Sequence, residues 1–240
     1  MPTTRAILFD LDGTLLDTLA DLADAMNQAL VKLGFQPHTQ NAYQTAVGDG
    51  VYLLAERVLP PANRSAETIH ALAAEMQDIY SKGWMNKTRP YDGIPAVISE
   101  LQARAIRMAV LSNKPDDKTR ICMNHYFCGT DFDVVMGASD RFPLKPDPAA
   151  AEYIIRTLGI PKSEWLYLGD TNTDMQTARN AGITAVGVTW GFRTRQELME
   201  NGADMIIDHP LDLISRISHE ATNALDFLPR SHSMSACSDS

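Results

Sequence analysis

Asp10 and Asp12 stand one residue apart at the end of the apolar run Ala6-Ile7-Leu8-Phe9 and just before Gly13-Thr14. A run of that length and composition predicts a buried parallel strand, and a glycine directly after it ends the strand where an α/β sheet presents its ligands. Period-two geometry turns both carboxylates to one side. At an effective dielectric of 20 their repulsion costs about 4 kcal/mol at 4 Å, so a positive partner must belong there, most simply a divalent cation.

Other polar groups recur at the ends of later apolar runs: Ser112-Asn113-Lys114 after Met108–Leu111, Lys145-Pro146 beyond Val134–Met136, and Gly169-Asp170 through Asp174 after Trp165–Leu168. Converging on one crevice, these ends hold four acids, a hydroxyl, a lysine and free helix N-termini. That set suits magnesium-assisted phosphoryl transfer, in which a cation and hydrogen-bond donors neutralise the phosphoryl oxygens. Each piece has a plainer reading. Asp10 and Asp12 could be solvated turn acids, Ser112 or Asp170 could cap a helix, Lys145 could be a surface lysine, and Asp174 a first-turn helix acid.

The elements that must carry these residues follow from periodicity. Leu19, Leu22, Met26, Ala29, Leu30 and Leu33 predict a helix over 17–33, stopped by Gly34. Helical patterns continue through Val51–Val58 and Ile69–Tyr80, with Ser65 as N-cap, and no strand signal appears before residue 89. Residues 17–88 therefore read as a helical insertion after the first strand. Strand–helix alternation then resumes: helices over 94–104, from Pro115, over 148–158 and over 174–181, and strands over 107–112, 134–136, 165–170, 184–188 and 205–207. The fold class is α/β, a doubly wound parallel sheet covered on both faces. Core segments 1–16 and 89–225 flank the insertion, and the Ser-rich tail 226–240 has little to bury and is expected to be disordered.

The 240 residues are 45% hydrophobic and 21% charged, with a formal net charge of −9. That balance argues against nucleic acid as partner, and an anionic substrate must be attracted locally against the overall field. No run is long enough to cross a bilayer and no signal-peptide pattern opens the chain. Three cysteines, Cys122, Cys128 and Cys237, lack metal-type pairing and predict reduced thiols in a cytoplasmic protein. The histidines lack ligand spacing. Trp190 and Phe192 are expected to pack near the site, and Arg193 could supply a second positive charge.

In order and spacing, Asp10-Leu11-Asp12-Gly13-Thr14, Ser112-Asn113, Lys145-Pro146 and Gly169-Asp170 with Asp174 resemble the four motifs of the haloacid dehalogenase superfamily. Val47 to Val51, Tyr91-Asp92-Gly93, Ser112 to Pro115 and Val188 to Arg193 are similar to its bacterial phosphoglycolate phosphatase branch. The resemblance implies a Rossmann-like core with a small all-helical cap. It implies Asp10 as the nucleophile that becomes an aspartyl-phosphate and Asp12 as general acid and base. It implies Mg²⁺ held by Asp10, the Asp12 carbonyl and Asp170, with Asp174 orienting a bound water or Lys145. Ser112 and the Asn113 N–H would bind phosphate, Lys145 would balance charge, and the Gly48-Asp49-Gly50 backbone, otherwise a plain turn, would touch substrate. The implied partner is a small phosphorylated metabolite, 2-phosphoglycolate first, acted on by a monomer or homodimer without nucleic acid or membrane. A sugar-phosphate phosphatase, nucleotidase, pyrophosphatase or phosphomutase shares this chemistry, and a silent binding protein could share the fold.

Overall fold

The computed structural model describes residues 3–217; the tail over 226–240, Cys237 and the end of the second core segment lie outside them. In chain order the elements are β1 (Ala6–Phe9), β2 (Leu16–Asp17), α1 (Leu19–Lys32), α2 (Gln40–Gln44), α3 (Val51–Val58), α4 (Ala66–Gly83) and β3 (Arg89–Pro90). They continue with α5 (Ile94–Ala103), β4 (Arg107–Pro115), α6 (Asp116–Tyr126), β5 (Val134–Ala138), α7 (Ala149–Leu158) and β6 (Trp165–Gly169). Last come α8 (Asn172–Ala181), β7 (Thr184–Val188), α9 (Arg195–Glu200), β8 (Met205–Ile207) and α10 (Asp212–Arg216).

Six strands form one parallel sheet in the order β5-β4-β1-β6-β7-β8. β1 is fully buried because both faces are covered: Ile7 and Phe9 enter one apolar cluster and Ala6 and Leu8 the other. Strand order reverses at β1, with β4 on one side and β6 on the other, so the crevice at their C-terminal ends is the topological switch point.

Helices α1 to α4 pack round a third cluster that includes Met26, Leu30, Leu54, Leu72 and Met76. Ser65 caps α4, its hydroxyl accepting the Thr68 N–H. Where the chain leaves the sheet and returns, Leu16 and Asp17 pair antiparallel with Arg89 and Pro90, a two-residue ribbon that claims Asp17 from the predicted helix. The strand over 107–112 runs on to Pro115, which occupies the N-cap position of α6 instead of its first turn.

Buried Asp21 ties α1 to the returning segment. Its carboxylate accepts the Lys87 N–H at 2.9 Å and both the N–H and hydroxyl of Thr88 at 2.8 Å. Asp21→Ala strands those donors, and hydrogen bonds to a charged group are worth ~1.5–3 kcal/mol each. A loss of about 3 kcal/mol is expected from the urea midpoint at unchanged m-value; a loss under about 1 kcal/mol would count against this tie.

Among the described residues no helix is long and apolar enough to cross a membrane. Cys122 is a free, buried thiol.

Candidate active site

Lysine, not cation-free repulsion, sets the arrangement at the end of β1. Lys145 Nζ donates to Asp10 Oδ1 and to Asp174 Oδ1, both at 2.7 Å, with the Leu111 carbonyl at 3.2 Å. Its side chain is only 3% exposed and that of Asp10 only 8%, so screening by water is weak and the charges matter. Burial pulls the Lys145 ammonium down, but the two carboxylates outweigh it and hold it well above the usual lysine value. Asn113 positions this lysine's main chain: its Oδ1 accepts the Lys145 N–H at 2.9 Å and its amide donates to the Lys145 carbonyl at 3.2 Å.

Asp170 follows directly on β6. Its carboxylate accepts the Thr14 hydroxyl at 3.0 Å and the Phe192 N–H at 2.8 Å. Thr171 caps α8 and forms a capping box with Asp174, whose Oδ2 accepts both the N–H and the hydroxyl of Thr171. The helix start thereby fixes the acid that Lys145 needs. Asp174 Oδ1 also accepts the Tyr167 hydroxyl at 3.1 Å.

Oxygens of Asp10, Asp170 and Asp174 lie within 4.8 Å of one another, and all three residues are buried. Burial and nearby Asp174 push the Asp10 carboxyl up to about 7. Burial, then Asp10 and Asp174, raise Asp170 well above the carboxylate range. One lysine does not balance three buried acids, and hard oxygens at this spacing fit a divalent cation. Gly13 confirms how closely the cluster is packed: its φ is +91°, and a Cβ there would overlap the Asp170 carboxylate. Asp174 carries the most contacts of the three, from Lys145, Tyr167 and Thr171, whereas Asp170 accepts Thr14 and Phe192 and Asp10 accepts Lys145.

Asp12 does not share this cluster. Its carboxylate meets the buried ammonium of Lys114 at 3.0 and 3.1 Å, and Lys114 also donates to the Tyr80 hydroxyl of α4 at 2.9 Å. The positive partner expected for the two aspartates is thus split, Lys145 for Asp10 and Lys114 for Asp12.

A cavity of about 410 Å³ opens above these groups, with Asp10, Asp12, Ser112, Asn113 and Lys114 on the sheet side. Gly48 and Gly50 border it, while the Asp49 carboxylate turns away to Arg57, at 2.7 Å, and to the Thr173 hydroxyl. Asn113 reaches the Gly48 carbonyl at 3.2 Å. Arg193 does not face the cavity as a second positive group. Buried, it donates to the carbonyls of Gln44, Thr45 and Val47, fastening the loop before α3 over the crevice. Phe192 packs in the apolar cluster of the inserted helices, and Trp190 packs against the sheet, donating to the Thr14 carbonyl at 3.0 Å.

The sequence model of the haloacid dehalogenase-like hydrolases matches residues 7–188. The chain belongs to that family. It is 31% identical over 207 residues to a phosphoglycolate phosphatase of Pseudomonas syringae pv. tomato, covering 85% of this chain and 76% of that one. It is 28% identical to a phosphoglycolate phosphatase of Pectobacterium atrosepticum, covering 91% and 94%. A crystal structure of a predicted phosphoglycolate phosphatase from Haemophilus somnus superposes with a TM-score of 0.83 at 26% identity, covering 91% of this chain and all of that one. Of the residues in this hydrolase's site, Lys114 and Thr14 stand within the sequence motifs without an assigned role, and Tyr80 and the loop-binding role of Arg193 were not found from sequence. Lys114 carried one signal, being two positions beyond Ser112 on the same strand and hence on the same side.

Proposed function

We propose that this phosphoric monoester hydrolase cleaves 2-phosphoglycolate with magnesium, through an aspartyl-phosphate on Asp10. The observation that carries the reading is Lys145 bridging Asp10 and Asp174 at 2.7 Å each, beside buried Asp170 and beneath a cavity roofed by the inserted helices. Asp10 and Asp170, with the Asp12 carbonyl, would hold Mg²⁺, which when bound neutralises charge on the phosphoryl oxygens.

The chain's own groups supply the rest. Asp10, kept in place by Lys145, attacks phosphorus; an Oδ–P bond forms as the ester P–O bond breaks, and the released electron pair stays on the leaving oxygen. Asp12 gives that oxygen a proton, then takes one from the water that cleaves the aspartyl-phosphate. Ser112 and the Asn113 N–H are assigned to the phosphate. The Gly48–Gly50 loop is the roof, and the insertion, residues 17–88, is the cap that excludes water and chooses the leaving group.

The relatives' names favour 2-phosphoglycolate. A second reading has one observation behind it: the cavity volume and its apolar wall of Leu22, Val51, Leu54 and Met76 would accept a bulkier phosphomonoester. Specificity constants for 2-phosphoglycolate, hexose 6-phosphates, nucleoside monophosphates and pyrophosphate separate the two. The expected result is that 2-phosphoglycolate leads by at least about tenfold, as a site that pairs a substrate charge should give. A bulky ester in first place would replace the substrate and leave the Asp10 chemistry standing.

A further inference from the structure

We propose that Lys114 selects leaving groups that carry a carboxylate, by presenting its ammonium to that carboxylate beside Asp12. The inference rests on the phosphatase reading above and adds a recognition element that the reaction itself does not need. The Lys114 side chain is 5% exposed, yet it borders the cavity shared with Asp10 and Ser112. Its Nζ lies between the sheet and the insertion, held by Asp12 on one side and by the Tyr80 hydroxyl and ring on the other. Lys145, by contrast, contacts Asp10 and Asp174 and serves the attacking end.

Four acidic residues border the cavity, Asp10, Asp12, Asp78 and Asp117; Asp78 is exposed and paired with Lys82 and Asp117 is exposed and paired with Lys118, so Asp10 and Asp12 do most to repel an acidic leaving group. Two lysines oppose them. Lys118 is 35% exposed and pairs with Asp117 at 3.2 Å, so water screens it. Lys114 is the buried one. Its position follows the chemistry: whichever group protonates the ester oxygen must touch it, and Asp12 holds that duty. In a two-carbon acid the carboxylate is attached one carbon beyond that oxygen, which brings it beside Asp12 and hence beside the ammonium that Asp12 holds. An ammonium has three N–H donors. It can turn one from Tyr80 to the substrate and keep Asp12, so recognition and proton transfer coexist. A neutral leaving group gains nothing from this arrangement.

The test compares 2-phosphoglycolate with ethyl phosphate, which has the same chain length and no carboxylate. Wild type is expected to prefer 2-phosphoglycolate by about 10–100-fold in kcat/KM, the worth of one charge-assisted hydrogen bond. Lys114→Met should erase that preference chiefly through KM, while Lys114→Arg restores part of it and Tyr80→Phe, which leaves the ammonium, retains it. Equal losses on both substrates in Lys114→Met would overturn the proposal and reduce the lysine to a prop for Asp12. Should Lys114→Met fail to fold, wild-type inhibition decides: glycolate competes and ethanol does not if the proposal is right, and equal weak inhibition overturns it. A wild type without preference between the two esters also overturns selection by Lys114, leaving the phosphatase chemistry intact; a wild type that hydrolyses neither ester overturns that chemistry first.

Discussion

Asp10→Asn is expected to lower kcat for 2-phosphoglycolate by at least about 10⁴-fold, in keeping with the loss of a covalent nucleophile. The amide cannot form the Oδ–P bond, and it leaves Lys145 with the Asp174 carboxylate and the Leu111 carbonyl. Shape is nearly unchanged, so the far-UV spectrum and the unfolding midpoint should stay close to wild type. Trapping separates chemistry from folding: acid quench of wild type with ³²P-labelled substrate should leave label on protein, and the variant should carry none. Turnover retained within about tenfold in Asp10→Asn would remove the covalent route. Keeping the side-chain volume makes this a better probe than Asp10→Ala, which would also leave a hole beside the buried Lys145–Asp174 pair.

Removing divalent metal is the second large effect. Excess chelator should abolish turnover, Mg²⁺ should restore it, and Ca²⁺, which prefers more ligands in looser geometry, should not. Stability carries the same information with a sign that depends on pH. In metal-free protein the Asp10 carboxyl is raised from 3.8 to about 7 and Asp170 is raised as well. Between those values the folded state binds more protons than the unfolded one, so stability falls as pH climbs from about 4 toward 7. A divalent cation competes with those protons and gains most where they are gone. The increase in Tm on adding Mg²⁺ should therefore be larger at pH 8 than at pH 6. At a hundredfold excess over Kd it amounts to ~2.7 kcal/mol, or about 5–10 °C for a chain of this size. A shift equal at both pH values would count against the carboxylate cluster as the site.

Much of this was legible in the residues themselves. The four-residue run before Asp10 is a buried strand because Ile7 and Phe9 go to one face and Ala6 and Leu8 to the other. The strands over 184–188 and 205–207 have the bounds that their apolar pattern predicts. Local rules failed where geometry is made by distant partners. Two residues are too few to show a period, so the Leu16–Asp17 and Arg89–Pro90 ribbon left no trace. Asp12 meets Lys114 across 102 residues, and Arg193 reaches Val47 across 146. Asp174 could be a helix acid or a partner of Lys145, and it is both, because the capping box uses one oxygen and leaves the other for the lysine.

Phe192 joins two tasks in one residue: its N–H is bonded to Asp170 while its ring sits among the apolar side chains of α1 to α4. The unit that would have to be transplanted to give another hydrolase this roof is therefore discontinuous. A chimera that carries only the stretch between β2 and β3 would lay these helices on the recipient's own side chain at the place of Phe192, and any mismatch in packing there would be transmitted straight to the acid that this residue's backbone steadies. Exchanging position 192 along with the helices keeps the graft and its anchor in register.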